Sequence, residues 1–441
     1  MKDTGHQTRT SGFSRRALLG SALAVAGAGV GFAGGSIAAT AGFPPDPRQG
    51  DAGQADSVSP LGRHQAGIET PQQRYATFVA ADLQVVDAAA LRDLLKDLSA
   101  TIVRITRGLE PPDSSAFPPG ADATTDFASG LPPARLTVTV GLGPRAFELA
   151  GLARAVPLRL RPLPGFAVDR LDPRWGGGDL LLQLCADDAQ VVSAAMRALR
   201  ARLPGFASIR WTQSGFVGLQ ADGSTPRNMF GQRDGTANPR AGSAEFAETV
   251  WALPDEPAWF TGGTYLVFRK IRMDTAHWDL TPRTRQDAAL GRRRSDGAPL
   301  TGADEFDEPD LGAAKADGSP VIATDAHIRR VGGFPMFRRS YSYDYGFLTA
   351  MAGGSPDPLA APDDHVHEPG TEPHHHGGHG SLDAGLLFCA YGNDPDAQFI
   401  PAQRRMAEAD GLNRFLQHTG SAIFAILPGF GADGYLGDTL V

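Results

Sequence analysis

The chain has 441 residues, 41% of them hydrophobic and 20% charged, with a net charge of −8. That length allows two ordinary domains and a sizeable core, and the composition excludes a disordered or fibrous chain. Gly (54) and Pro (34) are numerous enough to predict many turns and some linker.

The N-terminus opens with Ser14-Arg15-Arg16-Ala17-Leu18-Leu19-Gly20, a twin-arginine signature. A weakly apolar Ala/Gly-rich stretch follows, ending at a small-x-small cleavage site, Ala39-Thr40-Ala41. Residues 1–41 therefore read as a targeting segment. So many glycines argue against a transmembrane helix, and no membrane span is expected after cleavage. The expected location is the periplasm, the cell envelope or the outside, reached by a route that carries folded proteins, often with a cofactor inserted. The segment holds four basic and one acidic side chain, so its removal takes the net charge from −8 to −11. No basic patch stands out beyond it, which argues against nucleic acid as a partner. Residues 42–65 are rich in Pro, Gly, Asp and Ser and read as a disordered linker.

Regular patterning begins at Gly67. The sequence predicts a strand over 75–83 and a helix over 87–99, with Leu91, Leu94, Leu95 and Leu98 on one face. A strand over 136–141 and a short helix over 144–155 follow. Next come a strand over 179–185, a helix over 187–203 capped by Asp187 or Asp188, and a strand over 209–216. With the short helix taken as an insertion, the order is that of a ferredoxin-like α+β unit. The second half repeats the kind, with strands over 263–273, 337–345, 385–391 and 422–428 and a helix over 404–416. The expected fold is α+β, with two ferredoxin-like domains built on antiparallel sheets, at 66–219 and 220–441. Cys185 and Cys389 both sit in apolar runs and read as buried free thiols, with a disulfide left open. One segment breaks the pattern: 353–380 is rich in Pro, Gly and Asp and holds His365, His367, His374, His375, His376 and His379.

Three features carry chemistry. Gly231-Gln-Arg-Asp234-Gly235-Thr-Ala-Asn238-Pro239 sets a carboxylate between two glycines, although Asp-Gly by itself is a common turn. His327 lies in Asp-Ala-His-Ile-Arg. A lone histidine is more often structural, yet imidazole is also a common axial ligand to haem iron. Its other nitrogen would then donate to a carboxylate that the sequence does not identify. Arg338 and Arg339 adjoin a strand, so alternation sends them to opposite faces, one into a pocket and the other solvated or paired.

These motifs, with Arg338-Arg-Ser-Tyr-Ser-Tyr, Gly67-Ile-Glu-Thr-Pro, the strand at 264–273 and Gly291-Arg-Arg-Arg-Ser-Asp-Gly, resemble those of dye-decolourising peroxidases. The resemblance runs from about residue 66 to the C-terminus. The twin-arginine signature makes the chain most similar to the exported deferrochelatase/peroxidase branch, which is associated with iron uptake. The resemblance implies one haem b in the C-terminal half, with His327 as axial ligand to the iron. It makes Asp234 the distal acid/base and Arg338 the distal arginine. Arg338 is preferred to Arg339 because the family places a small polar residue two positions later, here Ser340. Backbone of Gly235, Thr236 and Ala237 would line the haem. Hydrogen peroxide and an organic or porphyrin electron donor would be the substrates, iron-uptake components are candidate partners, and a homo-oligomer is left open. The low reference pKa of aspartate favours an acidic working pH. Bulky donors would pass electrons through surface Tyr341, Tyr343 or Trp278. Two departures stand out. Where the family has an Asn-Pro-Arg that helps hold a haem propionate, this chain reads Val331-Gly-Gly-Phe-Pro, and the histidine-rich segment replaces a short connection. The alternative functions are iron release from haem and metal binding by that histidine-rich segment.

Overall fold

A computed structural model describes residues 56–108, 130–220, 223–347 and 382–441. The first half contains β1 (Tyr75–Leu83), α1 (Ala88–Ile105), β2 (Thr137–Leu142), α2 (Pro144–Leu149), β3 (Leu180–Ala186), α3 (Ala189–Arg200) and β4 (Ala207–Phe216). The second half begins with α4 (Ala244–Val250), β5 (Thr264–Met273), α5 (Thr275–Leu280), α6 (Arg283–Leu290) and α7 (His327–Val331). It continues with β6 (Phe337–Arg338), β7 (Tyr341–Phe347), β8 (Leu382–Gly392), α8 (Phe399–Ala409) and β9 (Leu416–Ile426).

Local chemistry sets the helix starts. Asp87 accepts the Ala90 N–H at 2.8 Å and opens α1, whose Leu91, Leu94, Leu95 and Leu98 are all buried. Asp188 caps α3 by accepting from Gln190 and Val191. Its neighbour Asp187 instead accepts the Arg74 N–H and pairs with Arg135. Each cap satisfies backbone donors that have no partner inside the helix.

All ladders between strands are antiparallel. The first half runs β2-β3-β1-β4 and the second β7-β8-β5-β9, with β6 added beside β8. Both orders are ferredoxin-like, as the sequence predicts. The two sheets are continuous, however. β2 meets β9 through Gly141↔Ile426 and Leu142↔Ala425, and β4 meets β7 through Phe216↔Ser342. Eight strands thus close into a ring. Period-two alternation then divides the core. Phe78, Ala80, Leu181, Cys185, Leu266, Phe268, Leu387, Cys389 and Phe424 pack together inside the ring. Val79, Ala81 and Leu83 face the other way and pack with α1 and α3. Burying each large apolar side chain contributes about 1.5–3 kcal/mol. All of the described residues belong to one compact unit.

Three expectations are corrected. Residues 59–65 do not continue the linker. Gly62 N donates to Phe430 O, and buried Gln65 bridges Val140 O and Leu427 O. The helix expected at 404–416 is Phe399–Ala409, because Pro401 lies in its first turn, where a missing N–H costs nothing. The strand expected over 337–345 is broken between β6 and β7 at Arg339 and Ser340. Cys185 and Cys389 are buried free thiols. The targeting segment, residues 42–55 and the histidine-rich segment lie outside the described residues. Among the described residues no helix is long and apolar enough to cross a membrane, and no group of His, Cys, Asp or Glu could hold a metal ion.

Candidate active site

The turn after β4 is held by its own backbone and by arginines. Asp234 N donates to Pro226 O, and Arg227 donates to the carbonyls of Gly231, Arg294 and Ser295. Gly231 has φ +72° and lies against the Arg294 guanidinium, where a Cβ would sit 2.6 Å from Nη2. Gly235 has φ +120°, a conformation that L side chains rarely adopt, so glycine is required on both sides of Asp234.

Asn238 couples this turn to β6. Its Nδ2 donates to Arg338 O at 2.7 Å and its Oδ1 accepts the Arg338 N–H at 3.1 Å. The result sets Arg338 Nη2 3.4 Å from Asp234 Oδ1, with both side chains about a quarter exposed. Asp234, Gly235, Asn238, Arg338, Ser340 and Gln72 line a cavity of about 270 Å³. The Ser340 hydroxyl is buried there without a hydrogen-bond partner among the described residues. Arg339 points elsewhere: it is buried and donates to Thr70 O and Gln73 Oε1. Thr236 turns its hydroxyl to Glu305, and Ala237 is exposed.

His327 is the first residue of α7 and is not among the residues lining that cavity. Its Nδ1 meets Asp410 Oδ2 at 2.8 Å, and Asp410 is almost fully buried at the end of α8. The other Asp410 oxygen accepts the Leu412 N–H. α7 is clamped to α8 by Arg405, which donates to Arg329 O and Gly332 O, and by Arg330, which donates to Arg405 O. Nε2 of His327 has no hydrogen-bond partner among the described residues. An imidazole fixed through Nδ1 by a buried carboxylate, with Nε2 left over, fits an axial iron ligand. The donor set therefore suits haem.

Comparison with known proteins decides the wider assignment. Residues 65–217 match the profile "Dyp-type peroxidase, N-terminal", and residues 225–430 match "Dyp-type peroxidase, C-terminal". The chain belongs to the Dyp-type peroxidase family. A dye-decolorizing peroxidase of Thermobifida fusca is 35% identical over 460 aligned positions, covering 99% of each chain. A deferrochelatase of Yersinia pestis is 34% identical, covering 86% of this chain and 84% of that one. The crystal structure of a DyP-type peroxidase from Cellulomonas bogoriensis superposes with a TM-score of 0.74 at 40% identity, covering 89% and 99% of the two chains. This Dyp-type peroxidase is accordingly a haem enzyme: its cofactor is haem b and its substrates are hydrogen peroxide and an electron donor.

Several functional residues were not legible beforehand. Asp410 lies 83 residues from His327 and reads as one more Asp-Gly turn. Asn238 was within the motif, but its grip on Arg338 requires the fold. The three suggested surface relays are not at the surface, since Tyr341, Tyr343 and Trp278 are each 0% exposed. They fail because the first half of β7 is packed into the ring interior, which buries Tyr341 and Tyr343, and because α5 packs Trp278 against Phe230 and Phe415. Tyr345 is the exposed tyrosine on β7, at 46%, with its ring 5.0 Å from that of Tyr343.

Proposed function

We propose that Asp234 and Arg338 are the groups that assist breakage of the peroxide bond, with His327 as the residue that would bind the iron of haem b in the C-terminal half. The observation that carries this reading is the Asp234–Arg338 pair, 3.4 Å apart in one cavity and locked together by Asn238. Bound haem supplies the electrons that cleave the O–O bond. Ionised Asp234 takes the proton from one peroxide oxygen and returns it to the other as the bond opens. Arg338 stabilises the negative charge that develops on the departing oxygen. Asp410 orients the His327 ring through Nδ1 and leaves Nε2 free to bind iron. Donors are organic dyes, phenols or porphyrins, and those too bulky for the cavity deliver electrons at Tyr345. The twin-arginine signature supports export to the periplasm, the cell envelope or the outside, and an association with iron-uptake components follows from the same branch.

Stopped-flow measurement of the peroxide reaction tests the roles. Asp234→Asn and Arg338→Leu should each slow it by about a hundredfold or more, and His327→Ala should abolish the Soret band. Unchanged rates in both distal variants would remove those assignments. Iron release from haem is the second reading, favoured by the 34%-identical deferrochelatase. Iron freed from haem without peroxide, leaving intact porphyrin, would decide for it.

A further inference from the structure

The two residues that bracket the Asp234–Gly235 pair end on one buried carboxylate. Arg233 Nη1 lies 3.0 Å from Glu305 Oε2, and the Thr236 hydroxyl donates to Glu305 Oε1 at 2.8 Å. The Glu305 side chain is 9% exposed, although the next residue, Phe306, is 74% exposed. The Glu305 backbone carbonyl also accepts from Arg292 Nη1 at 2.7 Å. A carboxylate is rarely this deep unless its partners hold it there, and the two side-chain partners found here both belong to the Asp234 turn.

The turn needs such an anchor. Gly235, between Asp234 and Thr236, has no side chain to pack and takes a backbone conformation with wide freedom. Arg233 is also a cation beside Asp234 in sequence. Left without a counter-ion, its guanidinium would compete with Arg338 for the Asp234 carboxylate. Pairing with Glu305 pulls it away.

We infer that Glu305 is a positioning residue for the peroxide reaction, holding the Asp234 turn from both sides and keeping Arg233 off the Asp234 carboxylate so that Arg338 meets it. The inference rests on the proposed role of Asp234. Glu305 touches neither peroxide nor haem in this account, and it acts only through the turn.

The test uses the haem-loaded full chain and four variants: Asp234→Asn, Glu305→Gln, their combination, and Thr236→Val. Glu305→Gln retains an acceptor for Thr236 and removes the charge that holds Arg233. It should slow the peroxide reaction about tenfold and leave the Soret band and the KM for the organic donor unchanged. Cyanide, which also gives up a proton on binding, should bind more weakly by a similar factor in a spectroscopic titration. In the Asp234→Asn background Glu305→Gln should cause no further slowing, because its effect passes through the group already removed. An unchanged rate in Glu305→Gln, or fully additive losses in the double variant, would overturn the inference. Failure of the Asp234 assignment shows separately, as an unchanged rate in Asp234→Asn alone. Should Glu305→Gln not fold, Thr236→Val removes a single anchor. It should slow the reaction about threefold with Tm unchanged, and no slowing there counts against the proposal.

Discussion

His418 on β9 is 2% exposed, and its Nδ1 has no hydrogen-bond partner among the described residues. Burial, assisted by the nearby Arg269 charge, pushes its pKa down to about 3. Arg269 is in turn paired with Asp169. The folded-state value lies below the ordinary 6.5, so the unfolded chain takes up this proton first. The stability involved is therefore complete above pH 6.5 and is lost as pH falls toward 3. The full loss is on the order of 5 kcal/mol. His418→Leu should flatten the decline of Tm between about pH 7 and pH 4, measured by calorimetry. Parallel declines in variant and parent would show that another group takes up the proton. At this scale the sequence reveals a residue only when its neighbours in the chain are the ones that matter. Asp234 and Arg338 sit in motifs, whereas Asp410 and Glu305 act on residues 83 and 69 positions away.

Strands and capped helices were readable from different apolar patterns, since strands buried on both faces leave short continuous apolar runs and a helix buried on one face leaves a period of 3.6. β1, β3, β5 and α1 show this directly, and Asp87 marks the start of α1 in the sequence itself. α7 was not readable, since five residues are too few for a helical period. The break between β6 and β7 was also hidden: Arg339 N still reaches Cys389 O, but Ser340 O turns to Gln72. That break leads from the Arg338 cavity into a strand whose Tyr341, Tyr343 and Tyr345 alternate with shorter residues. Tyr343 is bonded to Asp383 and Tyr345 to Gln213, and Lys270 lies near both rings. Tyr345, at the exposed end of β7, is where the proposed function puts electron entry. Tyr345→Phe should lower the turnover of a bulky dye several-fold, with the rate of the peroxide step unaltered. The hydroxyl accepts the Ser214 N–H and donates to Gln213 Oε1 or Ser214 O, so its loss should cost about 1–3 kcal/mol. Undiminished dye turnover in a folded Tyr345→Phe protein would place electron entry elsewhere.

At the scale of the whole molecule, each half was legible from its order of strands and helices, but the closure of the ring was not. The seams comprise two residue pairs between β2 and β9 and one between β4 and β7, too few to leave a sequence pattern. Each seam nevertheless has a glycine on the first-half strand. A Cβ on Gly141 would lie 2.7 Å from Ile426 Cδ1, and one on Gly215 would lie 2.7 Å from Ser342 O and 2.8 Å from Tyr341 Cβ. Neither glycine has a positive φ, so the requirement is for close approach between strands and not for an unusual backbone. The interior shared by Phe78, Leu181, Phe268 and Leu387 can form only if both seams close. Gly215→Val must push β7 away from β4, and overpacking of this kind costs about 1–3 kcal/mol. Because the interior belongs to both halves, that loss should lower the stability of the whole chain at once. In urea, the near-ultraviolet circular dichroism of the interior aromatics and the far-ultraviolet signal should shift to lower midpoints together. A shift in one signal alone would mean that the halves unfold independently and that the ring is not the cooperative unit.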